Sequence, residues 1–167
     1  KDLAKQDPGS ALVYLYELEY ADNEFAYFHD GLDASLGEVT MLDYSNNSQT
    51  NTYKALPIEM EGLERSSATK FPAPTITFAN VLSTLSVQVS DADFESFAGN
   101  RVVRRTTLRK YLKSEGDTNN PPIEYPRDVY YIDALKTRNK TALTFQLQAP
   151  FDLQGIRLPN RTIVPNR

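Results

Sequence analysis

The single histidine, His29 in the stretch YFHDG, is followed by Asp30, and a His–Asp pair is two thirds of the triad that activates a serine nucleophile. The missing third decides the reading. No serine lies in a Gly-x-Ser-x-Gly elbow and cysteine is absent, so His29 reads as a hydrogen-bonded residue at a strand end and the chain as no enzyme. Asp91-x-Asp93-x-Glu95 has the spacing that opens a calcium loop. Ser96 stands at the sixth position, where that loop needs glycine, and Val102 at the twelfth, where it needs a bidentate glutamate. Those acids read instead as the cap and first turn of a short helix that stops at Gly99. Glu17, Glu19, Glu59 and Glu61 could be recruited as the carboxylate pair of a glycosidase, but acids at alternate strand positions are ordinary outer-face residues. Zinc-ligand spacings and phosphate-cradling glycine loops are missing.

The basic residues carry more information. The thirteen residues from 101 to 113 hold six of the 18 lysines and arginines and none of the 22 acids, which leaves twelve bases against 22 acids, a net of -10, in the rest of the chain. Read as a strand, NRVVRRTTLRKYLKS places Arg101, Arg105, Arg109 and Lys113 on one face and Val102, Leu108 and Leu112 on the other, where Arg104 and Lys110 interrupt the apolar pattern. Such a stripe in a chain of net charge -4 is poorly suited to nucleic acid, which recruits basic charge across a surface. It suits an acidic surface on a neighbouring copy or subunit. Arg101, Arg104, Arg105, Arg109 and Lys113 are therefore the subunit-interface candidates; no catalytic, cofactor or metal ligand is assigned.

The elements that must carry these residues are mostly strands. ALVYLYELEY (11–20) alternates with period two, its even face (Leu12, Tyr14, Tyr16, Leu18, Tyr20) committed to a core and its odd face turning acidic at Glu17 and Glu19. Asp22-Asn23 is a turn and EFAYFHD the returning strand. VTMLDY reads as a strand, Ser45 to Thr52 as an exposed polar loop, and LPIEMEGLERS and FPAPTITFAN as two further strands, the second entered through prolines. Residues 1 to 10 allow a short leading helix, and Asn80 to Gly99 one or two short helices. DVYYIDALK and TALTFQLQAP form a hairpin around Asn139-Lys140, after a loop EGDTNNPPIEYP. Ile163-Val164 is a last strand signal between Pro159 and Pro165.

At 167 residues, 40% of them hydrophobic, the chain suffices for one domain with a proper core. Eighteen Tyr and Phe favour pleated, half-buried surfaces, and no apolar run approaches the roughly 20 residues of a membrane helix. The fold class is mainly β and mainly antiparallel, with one or two short helices, in a single domain spanning 1–167 with an inserted loop region near 38–56. A free β-sandwich that binds carbohydrate through its aromatics is the rival class, against which the lack of Trp counts.

The order of motifs resembles the minor tail protein L family of lambda-like long-tailed phages, together with related hub proteins of gene transfer agents. The resemblance rests on ALVYLYELEY, YFHDG, PIEMEGLER, SFAGNRVVRRTTLRKYL and FQLQAPFDLQGIRLPNRTIV in that order. It is sharpened by Pro-x-x-Thr-Phe-x-Asn at Pro74 to Asn80, Gly-x-x-Val-x-Arg at Gly99 to Arg104 and Leu-Pro-x-Arg at Leu158 to Arg161. It implies a β-barrel or split-barrel hub domain, a structural virion protein of the tail tip. Such a hub assembles as a ring, a trimer rather than a hexamer, in the cytoplasm of the bacterial host. Its implied partners are the distal ring of the tail tube and the central fibre or host-recognition protein, with DNA or tape measure protein in the lumen. The family also continues past Leu-Pro-x-Arg into a cysteine-bearing domain with a 4Fe-4S cluster. This chain has no cysteine, starts at Lys1 rather than Met, and stops on LPNRTIVPNR, so it reads as a fragment whose cluster domain is expected after residue 167.

Overall fold

A computed structural model describes residues 11–31, 36–43, 49–63, 73–79, 97–112, 123–138 and 141–150. Nine strands account for most of them. β1 (Leu12–Ala21) and β2 (Glu24–His29) form the expected hairpin, with Asn23 in a left-handed turn conformation at φ 58°. β3 (Val39–Asp43) and β4 (Gln49–Ala55) make a second hairpin, and β5 (Ile58–Glu61) pairs with β6 (Thr75–Ala79), entered directly after Pro74. β7 (Arg101–Leu108), β8 (Asp128–Arg138) and β9 (Ala142–Gln148) complete the set. Helix among the described residues is slight, a 3-10 turn at Arg109–Tyr111, and none is long and apolar enough to cross a membrane. The helices expected in 1–10 and 80–96, the Asp91 cap and the Ile163-Val164 strand lie outside the described residues.

The strands form one sheet in the order β3-β4-β2-β1-β7-β8-β9-β6-β5. β2 and β6 stand five steps apart in that order, a distance of about 24 Å in a flat sheet. Yet the rings of Phe28 on β2 and Phe78 on β6 are 6.4 Å apart, so the sheet is rolled on itself. The barrel expectation is corrected in one respect: among the described residues no ladder closes the roll. The two ends of the sheet are joined by the main chain instead. β4 runs parallel to β2, the one parallel pairing among the described residues, through His29↔Ala55, and the Leu56 N–H donates to His29 O at 3.0 Å. At the very next residue Pro57 O accepts from Ala79 N, and the backbone continues as β5 on β6.

Two cores result. The even face of β1 supplies Tyr16 and Leu18 to the interior of the roll, with Phe28, Leu56, Ile76, Phe78, Val102, Leu143, Phe145 and Leu147. The expected alternation of β9 is thus met, all three of its odd-position apolar side chains being buried. Leu12, expected in that core, is 49% exposed, because it precedes the point where the roll closes over β1. The odd face of β1 is buried too: Val13 and Leu15 pack with Leu36, Val39, Met41, Tyr53 and Leu112 in a second core. Two loop readings and one strand reading are corrected here. Gln49 to Thr52 belong to β4, laddered to β3, since backbone pairing is indifferent to polar side chains. The basic strand stops at Leu108, so Arg109 lies on a helical turn. In EGDTNNPPIEYP, Glu124 bridges to Thr107, so its end runs alongside β7.

Candidate functional site

The basic strand lies between β1 and β8, and its arginines find carboxylates within the same chain. Arg105 is 1% exposed, the largest fully buried side chain among the described residues. It shares the odd face with Leu15, directly opposite in the ladder, and reaches diagonally to Glu17. Its Nε donates to Glu124 Oε2 at 2.6 Å, its Nη1 to Glu17 Oε1 at 3.2 Å and to Tyr53 Oη at 3.0 Å, and its Nη2 to Leu42 O at 3.1 Å. Tyr53 Oη donates to Glu17 Oε1 at 2.7 Å, and Arg127 bridges Glu124 at 2.9 Å to Asp43 at 2.8 Å. One guanidinium therefore ties β1, β3, β4 and the 123–127 segment to β7.

Burial alone opposes a charged guanidinium, but the oxygens of Tyr53, Glu124 and Glu17 outweigh it and hold the Arg105 pKa above its ordinary value. Burial, then the adjacent Glu17 carboxylate, pushes the Tyr53 phenol far up, which keeps it a neutral hydrogen-bond donor. Tyr16, on the other face of β1, is pushed up to about 12 by burial and by Asp30. A fixed positive charge held through four hydrogen bonds is structural chemistry: it orders neighbouring elements and offers no proton to a reaction.

Arg101 and Glu19 make a second clamp. Arg101 donates through its backbone N and Nε to Glu19 Oε2, both at 3.0 Å, and through Nη2 to Oε1 at 3.1 Å and to Asn23 Oδ1 at 3.2 Å. The guanidinium also lies over the Phe25 ring, 5.1 Å from its centre, so the pair fixes the β1–β2 turn. These bonds from Arg101 hold the Glu19 carboxyl below its ordinary 4.5. A carboxyl with a lowered folded pKa contributes stability above its unfolded pKa and loses it as pH falls through the folded value. Glu19→Gln is accordingly expected to cost about 1–2 kcal/mol at neutral pH, discounted for the half-exposed Arg101 partner. In denaturant titrations at a series of pH values, that gap from wild type should shrink below pH 4.5; a pH-independent gap would refute the assignment.

Arg104, on the even face, pairs with Asp128 directly opposite on β8, at 2.6 Å from Nη2 and 3.0 Å from Nε, and lies 5.8 Å from the Tyr14 ring centre. Arg109 has left the stripe, its backbone N bonded to Ala11 O at 2.9 Å, and Lys113 lies outside the described residues. Of the five candidates, the structure thus brings Arg101, Arg104 and Arg105 into internal pairs. Sequence reasoning missed their partners Glu17, Glu19, Glu124 and Asp128, together with Tyr53, Asp43 and Arg127. One signal was available: acids two apart on an otherwise apolar strand need cationic partners, and Arg101 and Arg105 share one face of another strand.

His29 is fully buried at the end of β2, as expected. Its Nδ1 accepts from Gly31 N at 3.2 Å, which assigns the ring proton to Nε2, 2.6 Å from Gly37 O. Both ring nitrogens are thus engaged by backbone groups. Glu59 and Glu61 are solvent-exposed on β5, and Asp91, Asp93 and Glu95 lie outside the described residues. A chain without cysteine has no thiolate for an iron–sulfur cluster, so these residues do not fit that group.

The remaining feature is apolar. Leu12, Ile123 and Tyr125, at 49, 62 and 57% exposure, are the large exposed hydrophobics among the described residues. A recess of about 140 Å³ beside β7 is lined by Leu108, Tyr111, Ile123, Glu124 and Tyr125. In comparison with known families, the model described as phage minor tail protein L matches residues 20–167, from the end of β1 through the last residue.

Proposed function

Because the chain belongs to the phage minor tail protein L family, we propose that this structural tail component is a hub subunit of the tail tip. In this reading it forms a ring, trimeric rather than hexameric, between the distal ring of the tail tube and the central fibre or host-recognition protein. It enters the virion by assembly in the host cytoplasm, its lumen lies next to DNA or tape measure protein, and it catalyses no reaction. The family match carries the reading, and the geometry supports it: a rolled sheet braced by buried ion pairs is a rigid body suited to transmitting contacts. Arg101, Arg104 and Arg105 serve such boundaries indirectly, by setting the shape of β1, β7 and the 123–127 segment; Arg109 and Lys113 are interface candidates by their charge. The family's 4Fe-4S cluster belongs, on this reading, to residues outside these 167.

The carbohydrate-binding alternative gains little, since Tyr125 is the single strongly exposed large aromatic among the described residues. Antibody labelling of purified virions tests the proposal. Label is expected at the tail end away from the head, with a null mutant accumulating heads that lack complete tails; label along the shaft, or none, would overturn it.

A further inference from the structure

We infer that the apolar ledge at the open end of β1 and β7 is a self-association surface, whose recess receives one ring-sized side chain, flanked by carboxylates, from a second copy of this chain. The inference rests on the ring-forming reading above and names the surface that reading leaves unassigned. Leu12 and Leu108 are direct partners in the β1–β7 ladder, on the even face. Glu124 stands opposite Thr107 and sends its carboxylate to Arg105 on the odd face, so strand alternation turns its neighbours Ile123 and Tyr125 to the even face. The Tyr125 N–H donates to Thr106 O at 2.8 Å and Thr107 Oγ1 to Ile123 O at 2.7 Å, so both exposed side chains stand on bonded backbone. All three strongly exposed large hydrophobics among the described residues therefore gather on one face, on rigid supports. Anchored apolar residues around a pocket are what binding hot spots are made of.

The recess, about 140 Å³, compares with the roughly 150 Å³ cavity that accepts benzene, so it is sized for a single ring or branched aliphatic side chain. A cation stands beside it: Lys110 is exposed, with its Nζ 5.0 Å from the centre of the Tyr111 ring, while the acid of the lining, Glu124, is paired with Arg105 and Arg127. The occupant's chemistry follows from charge. Outside the basic segment this chain is net -10, and Glu24, Glu38, Glu59 and Glu61 are exposed, so a second copy presents the complementary sign. Contact between the ledge of one copy and an acidic surface of the next is heterologous, the type that generates rings when the rotation closes.

The test is sedimentation of the full chain over a range of concentrations and salt, with wild type against two variants. Ile123→Ser/Tyr125→Ser should keep the wild-type circular dichroism spectrum and weaken association about 30-fold. Lys110→Glu, at an exposed site, should keep the wild-type circular dichroism spectrum, weaken association several-fold and flatten its salt dependence. Unchanged association in both variants, a wild-type chain that stays monomeric, or a ledge that binds only a different tail protein would each overturn the inference. The virion labelling separates this result from the hub reading. Tip label with rings unaffected by the variants sinks only the ledge; ledge-dependent association with no tip label sinks only the hub.

Discussion

Replacement of Arg105 by methionine is expected to lower the free energy of unfolding by about 3–5 kcal/mol, the range found when one partner of a buried ion pair is removed. The cause is the loss of donors to Glu124, Glu17, Tyr53 Oη and Leu42 O, which leaves Glu17, itself 7% exposed, without its cation. Urea denaturation would measure it. Arg105→Lys should recover little, because an ammonium cannot span a fork of acceptors drawn from four separate segments. The cycle with Glu17→Gln is the sharper check: the double variant should be less destabilised than the sum of the singles, since the second change removes the stranded charge. Additive single effects would show that Arg105 and Glu17 are independent. A consequence for assembly follows. If the proposed ring forms, charge reversal at Arg105 should prevent its assembly by unfolding the 123–127 segment and the β3–β4 hairpin, whereas reversal at Lys110 leaves both in place.

Truncation of Phe145 to alanine is expected to cost a similar 3–5 kcal/mol. Phe145 is fully buried on β9, stacked on Phe97 with ring centres 5.9 Å apart and edge-on to Phe78 at 6.2 Å, while Phe78 meets Phe28 from β2. This chain of rings fills the roll from one wall to the other, so a cavity at Phe145 removes contacts from β6 and from the residues before β7 together. Phe145→Leu, which keeps most of the volume, should cost less than half as much. Equal losses for Leu and Ala in thermal or urea unfolding would mean that ring shape rather than filled volume matters.

Much of the fold was legible because period-two alternation survives in β1, β2, β5 and β9, and Asp22-Asn23 marks the turn of the first hairpin. What escaped reading has a common physical origin. Alternation states which side of a strand is apolar, but not whether a second layer covers the other side. Glu17 and Glu19 looked like solvent-facing acids because a half-buried strand was assumed; Glu17 instead meets Arg105 and, from the β3–β4 hairpin, Tyr53, and Glu19 meets Arg101 and the β1–β2 turn. The polar run that ends at Thr52 looked like a loop for the same reason, since side-chain polarity hides a backbone ladder. The site fared differently. The arginines were singled out correctly as the unusual charge in the chain, while their pairing partners come from residues up to 88 positions away, a separation that no local pattern encodes.

The passage from β4 to β5 has a mechanical meaning. A sheet closed only by hydrogen bonds can be peeled open one bond at a time. Here the seam at Leu56-Pro57 is a peptide linkage, with Leu56 bonded to β2 and Pro57 to β6. Tension that would separate those two walls is borne by covalent bonds at that point, and the ladders on either side must fail in shear, many bonds together, before the roll can unwind.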